Sequence, residues 1–395
     1  MPGPLDGFRI LDLTAVVSGP YATMILADQG ADVIKVEPQA RGDFTRSAGN
    51  RSGGLSASFL NNNRNKRSIS IDLKTQDGVE LVKRLAMGCD VMVQNFRPGV
   101  VERMGIGEDA IRGHAPSIIY VSISGFGETG PYAGKPVYDP LVQALSGLAS
   151  VQGGSDDERP RLVRTILPDK LTGITVGQAI TAALLARTRT GEGQHVRLSM
   201  LDAIVAFLWS SDMGGQTFVG KEVSPQKAAS FIDLIYETAD GHISVSIMTD
   251  AQWQALTRVF GRPELLDDKR FKTAELRDFN IDARLNLIQE ELLKAGNDEW
   301  ITRLEAEGVP CAPVLTRAAM ITHPQIAATG ILVETEHPVA GPLRQTRGAA
   351  RFSGTVPEYR AGAPELGAHT DEILVEAGLS EGEIADLQAR GIVGG

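Results

Sequence analysis

Asp169 has the best-defined opportunity for chemistry in this chain. It lies in Pro168-Asp169-Lys170-Leu171-Thr172-Gly173, at the head of a long amphipathic pattern. Asp and Thr both cap helix N-termini, and the helix macrodipole stabilises a carboxylate there. The same field would keep the side chain ionised. A strand-to-helix turn would also present it at a sheet end, where α/β folds bind ligands. An ionised carboxylate can attack an electrophilic acyl carbon and hold the acyl group covalently. A helix cap and a nucleophile are both consistent with these residues, and local spacing does not choose between them.

Other reactive side chains offer less. Six histidines (His114, His195, His242, His323, His337, His369) show no metal-ligand spacing, and Cys89 and Cys311 stand alone, so no metal site is expected. No serine occupies a G-x-S-x-G elbow, which disfavours a serine hydrolase. Gly125, Gly127 and Gly130, or Gly214-Gly215, could bring backbone N–H groups to a developing oxyanion, or they are plain turns.

The elements that must position Asp169 alternate in type. Phe8–Thr14, Asp32–Glu37, Ser68–Leu73, Asp90–Phe96, Ser117–Ser124 and His195–Met200 read as strands. Helical stretches separate them, including Tyr21–Gly30, Gly78–Met87 and Thr172–Arg189. In the last, Val176, Ile180, Ala183 and Leu184 fall on one stripe. Strands alternating with helices imply the α/β class, a Rossmann-like open parallel sheet covered on both faces. Beyond Ser210 the texture changes. The run Lys221–Lys227 reads as linker, Ile232–Ile247 as hairpin strands, and Ala251 to Glu307 as helices, giving a smaller α+β domain over roughly 225–325.

The chain has 395 residues, 42% hydrophobic and 22% charged, with net charge −10. That balance supplies a sizeable core and argues against a nucleic-acid surface, which needs clustered Lys and Arg. Two isolated thiols suit a reducing compartment. No apolar run approaches the roughly 20 residues of a membrane helix, and no signal peptide is read, so a cytoplasmic protein without a membrane partner is expected.

Several stretches, in order from about residue 4 to about 376, carry a family resemblance. They include PLDGFRILDLT, GADVIKVEP, NKRSISIDLK, DVMVQNFRPG, ISGFGETGP, VYDPLVQALSG, LPDKLTG and ARTRTGEGQHVRLSMLDA, then GVPCAPV, HPQI and GAHTDEIL. Together they resemble the class III CoA-transferases, the family that includes formyl-CoA transferase and, by fold, α-methylacyl-CoA racemase. The resemblance implies coenzyme A transfer from an acyl-CoA to a carboxylic acid, with Asp169 as the nucleophile and no metal. It places CoA contacts at Val17, Ser18, Leu73, Lys74, Asn95, Phe96 and Arg103. A family Arg falls on Pro38, so Arg41 is expected to substitute, and a family Lys falls on Pro136, beside Lys135. The run Arg64, Lys66, Arg67, with Arg97, is also expected to meet CoA phosphates.

Tyr138 separates the family's two activities. The racemase branch has a His at this position as an acid/base partner. A phenol, with a reference pKa near 10, is a poor base near neutral pH. Transferase is therefore favoured over racemase, with Tyr138 either packing or touching substrate. The resemblance further implies a large domain of 1–205 with 330–395, linkers at 206–224 and 326–330, and a homodimer of interlocked, ring-like chains. Only Gly214-Gly215 matches the glycine run of formyl-CoA transferase, so a small dicarboxylate such as succinate is expected rather than oxalate or formate. Two further alternatives are a nicotinamide oxidoreductase, disfavoured because the first turn (VVSGPYATM) lacks G-x-G-x-x-G, and a non-catalytic acyl-CoA-binding protein.

Overall fold

A computed structural model describes residues 3–154, 156, 158–222 and 234–394. Part of the expected linker (223–224), the end of the polar run at 223–227 and the first positions of the expected hairpin (232–233) lie outside the described residues. The chain divides into two compact units, 1–149 with 162–213 and 330–395, and 150–161 with 214–329.

The larger unit is built on β1 (Arg9–Asp12), β2 (Asp32–Glu37), β3 (Lys66–Ile71), β4 (Val91–Gln94), β5 (Ile119–Ser124) and β6 (His195–Ser199). All pair in parallel, in the order β3-β2-β1-β4-β5-β6, and a C-terminal strand, Val393–Gly394, adds antiparallel to β3. This is the doubly wound arrangement that the alternation implies.

Successive strand residues point to opposite faces, so a sheet covered on both sides needs near-continuous apolar runs. Ile10, Val33, Val91 and Val121 face one layer, packed on α1 (Ser18–Asp28) through Ala22 and Leu26 and on the long helix Leu167–Thr190 through Val176 and Ile180. Leu11, Ile34, Ile69 and Met92 face the other. There α2 (Gln76–Met87) contributes Val82 and Leu85, and the C-terminal helix Thr370–Glu376 contributes Ile373 and Leu374. In chain order, α3 is Glu108–His114, α4 is Asp139–Leu145, α5 is Leu167–Thr190 and α6 is Met200–Trp209.

Two local expectations need correction. Helix α5 begins at Leu167, five residues before Thr172, so Asp169 sits inside the first turn and is not its cap. Nor does a strand lead into it. The helix Leu148–Gly153 precedes α5, and among the described residues no strand lies between them.

The smaller unit holds an antiparallel sheet of Cys311–Pro313, His242–Val245 and Ile235–Glu237, in that order. Its helices Asp250–Phe260, Ile281–Leu292 and Asn297–Ala306 close a core around Trp253, Trp300, Phe271 and Tyr236.

Candidate active site

Strand order reverses direction between β1 and β4, and in open α/β sheets the crevice beyond the carboxyl ends at such a point binds ligands. Here the turns after β1 and β4 are tied together. The Asn95 amide donates to the Ala15 carbonyl at 2.8 Å, and its oxygen accepts the Ala15 N–H at 3.0 Å. The next residue, Val16, has φ of 75°. A β-branched residue gains nothing from a left-handed backbone, so its surroundings must hold it there at a cost of about 1–3 kcal/mol. Asn95 is one restraint, and Asp43, which accepts the Val16 N–H at 3.4 Å, is the other.

A cleft of about 730 Å³ opens over this point. Leu73 and Phe96 give it apolar walls, and Lys74 and Arg103 line it without a carboxylate partner among the described residues. Beneath it lies a buried charge network. Asp12 accepts from the Thr14 N–H and hydroxyl, the Thr23 hydroxyl at 2.7 Å and the Lys66 ammonium at 3.1 Å. Lys35 donates to the Thr14 carbonyl at 2.8 Å and to Asp43 at 3.0 Å. Burial pushes the Asp12 carboxyl up, but the Lys66 and Lys35 ammoniums outweigh it and hold it down at about 2. The network therefore fixes the turn at Thr14–Val16 from below.

From that turn the chain enters α1, which crosses α5 closely. A Cβ on Gly173 would stand 2.8 Å from the Ser18 carbonyl oxygen, so the crossing requires glycine, and one on Gly19 would stand 2.3 Å from the Thr14 Cβ, so the turn into α1 requires it too. The close approach sets Ser18 beside Asp169, where its N–H and hydroxyl favour the ionised carboxylate. On its other side, the Asp169 N–H donates to Asp139 at 3.2 Å, and the second Asp139 oxygen accepts from Gln143 at 2.6 Å. Asp139, at the start of α4, thus caps α5 from another part of the chain. The sequence leads one to expect that the dipole keeps Asp169 ionised, but burial and the Asp139 charge outweigh it and the Ser18 donors, pushing the carboxyl up to about 6. Asp169 is not itself among the residues lining the cleft, but a carboxyl raised by burial and a like charge is a mark of functional sites.

Residues 5–370 match CoA-transferase family III. Succinyl-CoA:glutarate CoA-transferase of Homo sapiens is 34% identical over an alignment covering 99% of this chain and 90% of the relative. The chain belongs to this family. Formyl-CoA:oxalate CoA-transferase of Shigella sonnei is 32% identical, covering 98% of this chain and 99% of the relative. The crystal structure of a CAIB/BAIF family protein from Brucella suis has a TM-score of 0.83 at 32% identity, covering 95% of this chain and 100% of that one. Membership makes the chain a CoA-transferase.

Against that family membership, the expected CoA-binding residues divide. Leu73, Lys74, Asn95, Phe96 and Arg103 gather in the cleft. Val17 and Ser18 are buried beside it, and Val16 is the residue that lines it. Arg41 is exposed, one residue from Gly42 of the lining. Lys135 stacks 3.3 Å over the Tyr132 ring and Tyr138 is 73% exposed, both outside the cleft lining.

The basic run at the start of β3 is engaged by carboxylates. Arg64 pairs with Asp28, Lys66 with Asp12, and Arg67 with Asp32, Glu372 and Glu376. The N–H that favours the ionised Asp169 carboxylate is that of Ser18, and Gly214 belongs to the smaller unit. Asp139 and Lys35 lie in the stretches VYDPLVQALSG and GADVIKVEP that carry the resemblance, but their contacts to Asp169 and Asp43 are not legible there; Asp-Pro at 139–140 reads only as a helix start.

Proposed function

We propose that this CoA-transferase moves coenzyme A from an acyl-CoA to a short carboxylic acid through covalent intermediates on Asp169. The observation that carries the reading is a partly desolvated carboxylate held by Ser18, two residues beyond the cleft wall at Val16. Asp169 attacks the thioester carbon, forming a mixed anhydride and CoA thiolate. The thiolate attacks the aspartyl carbonyl, releasing the donor acid and leaving an aspartyl-CoA thioester. The acceptor carboxylate then attacks that thioester, and the returning thiolate takes the new acyl group. Each tetrahedral step places charge on oxygen, and the Ser18 N–H and hydroxyl are the donors at hand. Lys74 and Arg103 are suited to CoA phosphates. The names of the human and Shigella relatives point to small dicarboxylic acids, with succinate and glutarate the first to test. The active form is proposed to be a homodimer.

The reading is tested by a pH profile of kcat/KM with succinyl-CoA and glutarate. Only ionised Asp169 is a nucleophile, so the rate rises with pH through about 6 and is flat above it. At pH 5 roughly a tenth of the plateau remains. Asp139→Asn removes the like charge and moves this acid limb to lower pH. A profile without an acid limb contradicts the covalent route through Asp169, and α-proton exchange on acyl-CoA with no acceptor present favours the racemase-type alternative.

A further inference from the structure

Phe96 also lines a second cavity, about 440 Å³, at the carboxyl ends of β4 and β5 and outside the chemistry assigned above. Its floor is a row of polar side chains on one sheet face. Ser122 stands opposite Gln94 on one side and Arg197 on the other, and His195 precedes Arg197 by two residues on the same face.

Hydrogen-bond directions in this row are determined by one fixed group. The Gln94 oxygen accepts the Phe96 N–H at 2.8 Å, so its NH₂ must be the end that meets the Ser122 Oγ at 2.9 Å. With that donor supplied, the Ser122 hydroxyl is free to give its own proton to His195 Nε2 at 2.8 Å. His195 then carries its proton on Nδ1, which is buried with no hydrogen-bond partner and faces the Glu108 Oε2 at 3.7 Å. Glu108 is in turn anchored through its other oxygen by Arg112 at 2.7 Å. Burial holds His195 below its usual range, so near neutral pH the ring is an acceptor at Nε2.

Hydroxyl, imidazole and carboxylate thus stand in the order that activates a serine, with the last contact long, as such contacts often are before substrate binds. Arg97 lines the same cavity and has no carboxylate partner among the described residues, which leaves its guanidinium for an oxyanion. Glu108, Ser122 and His195 come from α3, β5 and β6, so no contiguous motif announces them. We propose that Ser122, His195 and Glu108 form a second catalytic centre that hydrolyses small activated carboxylic esters or thioesters.

The Ser122 oxygen attacks the acyl carbon as its proton passes to His195 Nε2, and Glu108 stabilises the imidazolium. The bond to the leaving alcohol or thiol breaks, and that group takes the proton from Nε2. Water repeats the sequence on the acyl-serine, releasing the acid and restoring the hydroxyl. The cavity, at about 440 Å³, has room for a small ester or thioester beside the Ser122 hydroxyl. Asp169 has no part in these steps.

The test therefore uses the full chain carrying Asp169→Asn, so that hydrolysis of an aspartyl anhydride cannot contribute. This protein is expected to release nitrophenol from p-nitrophenyl acetate and to be phosphonylated at Ser122 by a fluorophosphonate, located by peptide mass spectrometry. Adding Ser122→Ala removes both signals, and adding His195→Gln slows labelling by on the order of 10²-fold. No adduct at Ser122, or hydrolysis that survives Ser122→Ala, overturns the proposal. Should Ser122→Ala fail to fold, His195→Gln decides alone, and labelling at the unchanged rate overturns it.

Discussion

Asp169→Asn is expected to lower kcat for CoA transfer by at least on the order of 10⁴-fold, the scale of losing a covalent nucleophile. The amide keeps the shape and the Ser18 donors, so CoA should still raise the melting temperature of the variant. A second effect has the opposite sign. Folding raises the Asp169 carboxyl from 3.8 to about 6, so the ionised form destabilises the native state. That penalty is absent below pH 4, grows between 4 and 6, and is complete above it. Two units correspond to about 3 kcal/mol, and solvent at the partly exposed group reduces this to about 1–2 kcal/mol. The variant should therefore be more stable than wild type at pH 8 and equal to it near pH 4. An inactive variant without this pH-dependent gain would mean that Asp169 is not desolvated as described. A variant retaining transfer would remove it from the chemistry.

Asp12→Asn tests the foundation of the cleft. Asp12 and Lys66 both have side chains at 0% exposure, and the substitution removes the negative charge facing the Lys66 ammonium, whose other acceptors are the neutral Pro20 carbonyl and Asn63 side chain. Breaking a buried pair on one side costs about 3–5 kcal/mol. The urea midpoint should fall accordingly with little change in slope. Because folding lowers the Asp12 carboxyl from 3.8 to about 2, the wild-type advantage is full above pH 4 and fades as pH falls toward 2. A loss below about 1 kcal/mol at pH 7 would contradict the network.

The contrast between these two residues follows what a local reading can see. Strands β1 to β5 are legible because short β-rich runs, such as Val33-Ile34 and Val91–Val93, or a clean alternation, as in Ser68–Ile71, recur between helical stretches. Helix α5 is legible through its Val176–Leu184 stripe, but its start is not. Ile166 supplies no capping side chain, and the group that caps the first turn, Asp139, lies 30 residues away. The raised carboxyl of Asp169 has the same origin, since it depends on Asp139 and on packing against Ser18. A local reading gives Arg64, Lys66 and Arg67 to phosphates because their acids, Asp28, Asp12 and Asp32, come from α1, β1 and β2, and become neighbours only when the sheet closes. Of the cleft residues, Asn95-Phe96 are within reach of a local reading because they follow β4 directly, at the end where ligands lie, whereas Leu73-Lys74 come only from the family resemblance.

The most direct test of the covalent route follows oxygen. With an acceptor acid labelled with ¹⁸O in its carboxylate, the bridging oxygen of each acceptor anhydride is left on Asp169 when the thiolate departs with the acyl group. After several turnovers the tryptic peptide Thr165–Lys170 should carry heavy oxygen, and the released donor acid should acquire it one cycle later. A peptide that stays unlabelled while labelled acceptor is converted to its CoA thioester would show that the acyl groups never pass through Asp169.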